Sequence, residues 1–481
     1  MKPEELFDAI GLAEDTMIEN ANKAKKKKLY QRKPFYGIVA AVLVAAMGIG
    51  ILAKGIPGKP VKKAYAITEA VYPELHQMPY EEDYMENDDW DAFDEAYDIW
   101  RADKDKLREY YDASIDLTSF YKTGMKEFLS GREGENTIYS PLNLYMALAM
   151  LAEVTEGESR AQVLSVLGVA SIEQLRKDVV SVWNSNYSDD GQVTSILANS
   201  LWLNENISYK KESLALLADT YYASSFSGNP EEEAYSQALR DWLNEQTGDL
   251  LKDAVEGVAL DPSTVVALAS TIYFKARWSN EFSEAWTKPD VFYGESETTC
   301  DFMNQSNSGT YYWGKQFSAV SKRFHDYRGG CEMTFVLPDE GITPEELLSD
   351  PEVTEFLFGN GVWENQKGLT INLSVPKFDV NSDIDLTGGL QNLGITDVFS
   401  PTEADFSGIT DEPAYVTGAT HSARVMIDEE GCTAAAFTLM LCGGAMPPED
   451  EVDFVLNRPF LFMITSETGM PLFIGIVNQP V

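Results

Sequence analysis

Cysteine and histidine are both scarce. Four cysteines (Cys300, Cys331, Cys432, Cys442) and three histidines (His76, His325, His421) are spread over 481 residues. No CxxC pair gives zinc-site spacing, and four cysteines are too few to staple a small secreted domain. Three histidines leave little material for metal ligation or imidazole catalysis. We expect neither a metal nor a cofactor. The GxSxG, HExxH and GxxxxGK[ST] patterns are missing, and the one GxG, at Gly48 and Gly50, falls inside a hydrophobic run. The chain does not read as an enzyme. Positive charge is short too: 37 Lys and Arg stand against 77 Asp and Glu, a formal net charge of −40. Such a field repels phosphate backbones and excludes nucleic acid as a partner of the main body.

What is present is a core-forming chain, 44% hydrophobic, and too long for one average domain. Its charge is unevenly placed. Residues 1–63 carry 12 Lys and Arg against 6 Asp and Glu, and the remaining residues carry 25 against 71. Residues 35–53 contain no charged side chain; as a helix they reach about 28 Å, close to the ~30 Å hydrocarbon core of a bilayer. Seven Lys and Arg precede this run between Lys23 and Lys33, and four lysines follow it. The positive-inside bias then makes 1–33 a basic cytoplasmic tail, 34–54 a membrane-spanning helix, and the acidic remainder extracellular. A cleaved signal peptide is the competing reading, because Ala64, Tyr65 and Ala66 have the A-x-A form of a cleavage site.

Residues 55–111 are strongly acidic, with ten acidic and no basic residues over 81–98. Self-repulsion would make this an extended stalk. The spacing of Trp90, Phe93, Tyr97, Trp100, Leu107 and Tyr111 fits instead one face of an amphipathic helix lying on the domain that follows. Both readings stand at this level. From 112 to 481 the pattern is globular. Ser171 with Gln174 marks a helix start, as do Asn229 and Pro230 ahead of Glu231, Glu232 and Glu233, with Gly248 as a stop. Residues 333–337, 369–375, 461–464 and 472–477 read as strands. Helices early and strands late, without βαβ alternation, indicate an α+β class.

One stretch is unusual. Asp428, Glu429, Glu430, Gly431, Cys432, Thr433 and three consecutive alanines, Ala434, Ala435 and Ala436, form a loop built of residues that suit a tightly packed strand. Gly443, Gly444, Pro447 and Pro448 then lead into a further strand. With this stretch in place, residues 112–481 resemble the serpins. The resemblance is carried by 136–143 with 147–151, by 272–278 with Phe282, by Val375 to Phe378 (VPKF), by 393–395, by 404–408, and by the hinge at 428–438 and Asn457 to Phe460 (NRPF), all in the family's order. The chain looks like a membrane-anchored member of prokaryotic type.

The resemblance implies a fold of three β-sheets and about nine helices with an exposed reactive loop. It also implies inhibition of serine, and in some members cysteine, endopeptidases. The protease forms an acyl-enzyme on the loop, and the severed loop enters the central sheet as a new strand. A non-inhibitory serpin acting as a binding or chaperone module is the alternative. Insertion with alternating side chains would bury Cys432, Ala434, Ala436, Thr438, Met440, Cys442 and Gly444, none of them charged. The opposite parity, Thr433, Ala435, Phe437, Leu439 and Leu441, would face outward. Cys432 stands where the family usually has Thr. The hinge residues are therefore Glu429, Glu430, Gly431, Cys432, Thr433, Ala434, Ala435 and Ala436. The family's spacing from Glu429 puts the scissile bond between Ala445 and Met446; a small uncharged Ala445 points to elastase-like or subtilisin-like proteases. Ser140, Asn143, Ser270 and His421 are expected to share hydrogen bonds beneath the sheet, with the Ser and Asn common in inhibitory members exchanged between Asn143 and Ser270. Trp278 is expected where the loop enters.

Overall fold

A computed structural model describes residues 65–80, 84–85, 89–252, 255–326, 330–359, 362–432 and 450–480. The expected tail, the membrane-spanning run at 34–54, the hinge residues Thr433 to Ala436 and the bond between Ala445 and Met446 lie outside them. Among the described residues no helix is long and apolar enough to cross a membrane.

Ten α-helices occur among the described residues, one more than the expected number: α1 (Trp90–Arg108), α2 (Thr118–Leu129), α3 (Pro141–Val154), α4 (Gly157–Leu167), α5 (Ile172–Asn186), α6 (Lys211–Tyr221), α7 (Glu233–Gln246), α8 (Pro344–Leu347), α9 (Pro351–Phe358) and α10 (Thr387–Asn392). The strands are β1 (Ala66–Thr68), β2 (Thr137–Tyr139), β3 (Ser188–Asp189), β4 (Val193–Asn204), β5 (Ala223–Gly228), β6 (Val266–Arg277), β7 (Lys288–Tyr293), β8 (Glu297–Trp313), β9 (Phe317–Arg323), β10 (Glu332–Pro338), β11 (Gln366–Pro376), β12 (Phe378–Asp385), β13 (Thr420–Ile427), β14 (Gly431–Cys432), β15 (Glu451–Val455), β16 (Phe460–Thr465) and β17 (Pro471–Val477).

One hydrogen-bonded network has the order β1-β5-β4-β6-β14-β13-β12, with β3 on β4; the other runs β15-β11-β8-β9-β10-β16-β17-β2, with β7 on β8. At 17 residues β8 is long enough to serve two layers. It pairs with β7 from Glu297 to Phe302, with β11 from Phe302 to Tyr312, and with β9 only at Tyr311 to Trp313. The second network thus bends into two sheets, giving three in all.

The central sheet departs from the "helices early" pattern, because β4, β5 and β6 alternate with helices. Periodicity hides them: β4 is buried on both faces over most of its length, so its sequence shows no in-out alternation. The helix after Asn229 also starts later than expected. Asn229 first closes a turn, its side chain accepting from Glu231 N–H at 3.1 Å and its carbonyl from Glu232 N–H, and α7 begins at Glu233. Ser171 caps α5 by accepting from Gln174 N–H.

α3 lies at the centre. Every one of its residues except Ala147 is buried, which is what an apolar-all-round helix requires. Ser140 caps it and Pro141 fills the first position, where no N–H is missed. This start fixes Asn143 on the first turn.

The acidic segment ahead of the domain is helical over α1, and its stripe divides: Trp100 and Leu107 are buried, while Trp90 and Tyr111 are exposed. Before it, β1 extends the edge of the central sheet through β5.

Candidate functional site: two polar clusters on β6

The first cluster lies at the middle of β6. Ser140 N–H donates to His421 Nε2 at 3.0 Å, so the ring is neutral with its proton on Nδ1. Burial pushes the His421 imidazole down to about 4, against the pull of Asp383. The Asn143 side chain donates to the Ser270 carbonyl at 3.2 Å. The Ser270 hydroxyl reaches the Asn143 amide oxygen and, at 2.8 Å, that of Asn199. Asn199 in turn donates to the Tyr221 carbonyl at 2.9 Å. Asn143 binds α3 to β6, Asn199 binds β6 to β4 and α6, and His421 binds β13 to the start of α3. All of it is done with neutral groups.

The second cluster lies where β6 ends and β14 begins. Asp428 accepts from Glu430 N–H at 3.0 Å and Gly431 N–H at 3.1 Å, closing the tight turn from β13 to β14. β14 then pairs antiparallel with both neighbours: Cys432 opposes Ala276 of β6 and Ile427 of β13. β6 and β13 therefore run parallel, and a chain turning back from β13 fits between them as an antiparallel strand. Gly431 is required here by space: a Cβ would sit 2.2 Å from the Ala276 carbonyl oxygen.

Trp278 packs flat on Phe324, with ring centroids 4.4 Å apart. Its indole N–H donates to the Asp428 carbonyl at 3.0 Å, and its backbone N–H to the Glu430 carbonyl at 2.8 Å. Glu429 accepts from Lys377 at 2.6 Å and Thr287 at 2.7 Å. Burial alone would raise its carboxyl, but these two donors outweigh burial and hold it below the usual range. Lys322 stands over Phe282 at 4.2 Å and Trp278 at 5.2 Å, bonded to the Gln305 side chain at 2.8 Å. Burial pushes its ammonium down to about 7.

The structure thus places Ser140, Asn143, Ser270 and His421 in one network, and Trp278, Glu429, Glu430, Gly431 and Cys432 in another. Ser270 and Trp278 are eight residues apart, about 26 Å along a strand. Cys432 is buried; Cys442 lies outside the described residues. Sequence reasoning missed Asn199, Lys322 and Lys377. Lys377 stands inside the VPKF segment, and that signal could have found it; Asn199 and Lys322 carry no local signal, since only the pairing of distant strands brings them in. Among the described residues no group of three or more His, Cys, Asp or Glu is arranged to hold a metal.

Comparison with known proteins agrees with this architecture. The family model for Serpin (serine protease inhibitor) matches residues 117–480. Alpha-1-antiproteinase 2 of Equus caballus is 31% identical over 358 residues, covering 72% of this chain and 82% of its own. Plasminogen activator inhibitor 1 of Neovison vison is 27% identical, covering 76% and 92%. Among solved structures, the thermophilic serpin tengpin in its native state superposes with a TM-score of 0.66 at 26% identity, over 76% of this chain and 93% of its own. Thyroxine-binding globulin in complex with thyroxine shares the fold, with a TM-score of 0.65 at 21% identity. The chain belongs to the serpin family.

Proposed function

We propose that this protein inhibits serine endopeptidases, cysteine endopeptidases being a secondary class, as a suicide substrate. The protease opens the bond between Ala445 and Met446 and is held as an acyl-enzyme, while the loop from Cys432 onward enters the sheet between β6 and β13. The observation that carries this reading is β14. Its two residues already occupy a strand position between β6 and β13, and the residues that follow on the buried parity are uncharged and carry no ring, so continuing the strand buries no charge. The turn at Asp428 and the anchored Glu429 fix where the strand starts. The similar antiproteinases and plasminogen activator inhibitors carry inhibition in their names, which supports the same class here.

Ala445 is small and its neighbours offer no Arg or Lys, so elastase-like or subtilisin-like proteases are the targets. The charge step at residue 63 and the uncharged run at 35–53 support a membrane anchor with the inhibitory domain outside the cell. The test is incubation of the full-length protein with elastase, subtilisin and trypsin, followed by denaturing gels and mass spectrometry. A covalent complex with the first two, with release of a C-terminal fragment beginning at Met446, is expected. Complete cleavage without any complex would favour the second reading, a non-inhibitory binding module. Thyroxine-binding globulin favours that reading, because the same fold there holds a small ligand.

A further inference from the structure

The segment before α2 lies ahead of the residues that match the family model, yet it is built into the domain. Tyr65 packs on Tyr235 of α7 with ring centroids 5.0 Å apart, and β1 pairs with β5. Tyr72 packs against Trp183 and Tyr187, and Met78 N–H donates to the Asp190 carbonyl at 2.8 Å. α1 then buries a lysine. Lys104 Nζ lies 3.1 Å from Asp190, 3.3 Å from Glu467 and 3.0 Å from the Ser188 hydroxyl, and Trp100 donates to the same Asp190 carboxylate at 3.3 Å. Side-chain exposures are 7% for Lys104, 2% for Asp190 and 22% for Glu467. A buried ion trio of this kind costs desolvation and is fragile to loss of one member.

The two acids belong to different mechanical blocks. Asp190 sits between β3 and β4 and accepts from Val193 N–H at 3.0 Å; Val193 opposes Ala276, which opposes Cys432. Asp190 is therefore part of the block β1-β5-β4-β6 on one side of the hinge strand. Glu467 lies in the turn from β16 to β17. β17 pairs with β2, β2 is bonded to β12 through Ser382 at 2.8 Å, and Ser140 next to β2 is bonded to His421 of β13. Through these bonds Glu467 is joined to β12 and β13, on the other side, and its turn is also held by Thr468 donating to Asn186 at the end of α5 at 3.0 Å. Admitting a strand between β6 and β13 requires these two blocks to part.

We propose that residues 65–80 and α1 act as an intramolecular strap: through Lys104, α1 ties Asp190 of one block to Glu467 of the other and restrains the opening of the sheet between β6 and β13. Its consequence for inhibition rests on the loop-insertion reading; the restraint itself does not. The strap slows entry of the loop before a protease has cut it, and so preserves the reactive form. Glu467→Gln is the most selective probe, because it removes the cross-block ion pair and leaves Lys104 with Asp190. Lys104→Met removes both.

Amide hydrogen exchange of the full-length protein, read by mass spectrometry on peptides covering β6 and β13, measures the opening directly. About tenfold faster exchange there is expected for Glu467→Gln and more for Lys104→Met, with β9 and β10 unchanged. Exchange in β6 and β13 equal to wild type in Glu467→Gln overturns the strap, and that variant carries the test should Lys104→Met not fold. If exchange rises as expected while the wild type forms no covalent protease complex, the strap stands and the inhibitory reading falls. If the wild type forms complexes while exchange in Glu467→Gln is unaltered, the strap falls and the inhibitory reading stands.

Discussion

The two clusters on β6 do related jobs with different chemistry. At mid-strand, Asn143, Asn199, Ser270 and His421 join helix to sheet with neutral groups only. At the strand end, Glu429 with Lys377, Arg277 with Glu281, and Lys322 over two rings do it with charge. For the ion pairs the difference follows from exposure, whereas Lys322 is as buried as His421 and rests on the two rings and the Gln305 side chain. His421 is almost entirely buried, and an ion there would go uncompensated. Lys377 is about a third exposed, so its pair with Glu429 is partly solvated and costs less to form. On the loop-insertion proposal, the sheet parts along a line held in the middle by hydrogen bonds that are expensive to lose singly, and at its mouth by ion pairs that salt and pH can weaken.

The largest effect expected is functional. Ala434→Arg would bury an unpaired charge between β6 and β13, so the loop should be cut without trapping the protease, and the inhibition stoichiometry should rise by about tenfold or more. Unchanged stoichiometry in titrations against elastase would break the link between β14 and mechanism.

Acid separates the clusters next. His421 has a folded value of about 4 against an ordinary 6.5. Between those values the unfolded chain binds more protons, so stability is full above about pH 6.5 and is lost as pH falls toward 4. The loss amounts to ~3 kcal/mol, because burial opposes charging the ring. Glu429, held below the usual carboxylate range, contributes stability that persists until lower pH. Urea midpoints at pH 7.5 and 4.5 should converge for His421→Gln relative to wild type; an identical pH dependence in both would contradict the assignment.

Asn143→Ala should cost about 2 kcal/mol, since it removes the side-chain donor to the Ser270 carbonyl and one acceptor of the Ser270 hydroxyl. The same probe gives a double-mutant cycle with Ser270→Ala, in which strongly non-additive losses are expected. Smallest is Lys377→Ala, about 1 kcal/mol and shrinking with added salt. A salt-independent loss larger than that of Asn143→Ala would invert the comparison.

The sequence made some of this legible and concealed the rest for physical reasons. Ser140, Asn143 and Ser270 could be grouped because each sits in or beside a stretch resembling a known family, and His421 because histidine is scarce. Asn199 could not: it lies in β4, whose two buried faces erase alternation, and it meets Ser270 only through the pairing of β4 with β6. The late strands were readable from short β-branched runs, whereas β4 and β6 were not. The aromatic spacing of α1 marked a helix, but nothing marked Lys104 among its charged neighbours, since its burial depends on a turn 363 residues further on, at Glu467.

The central claim is that the loop continues the strand begun by Gly431 and Cys432. It is tested most directly by comparing the thermal midpoint of the intact full-length protein with that of the same protein cut once in the loop. Completing a strand bonded on both sides should raise the midpoint by roughly 20 °C. An unchanged or lower midpoint after cutting would contradict it.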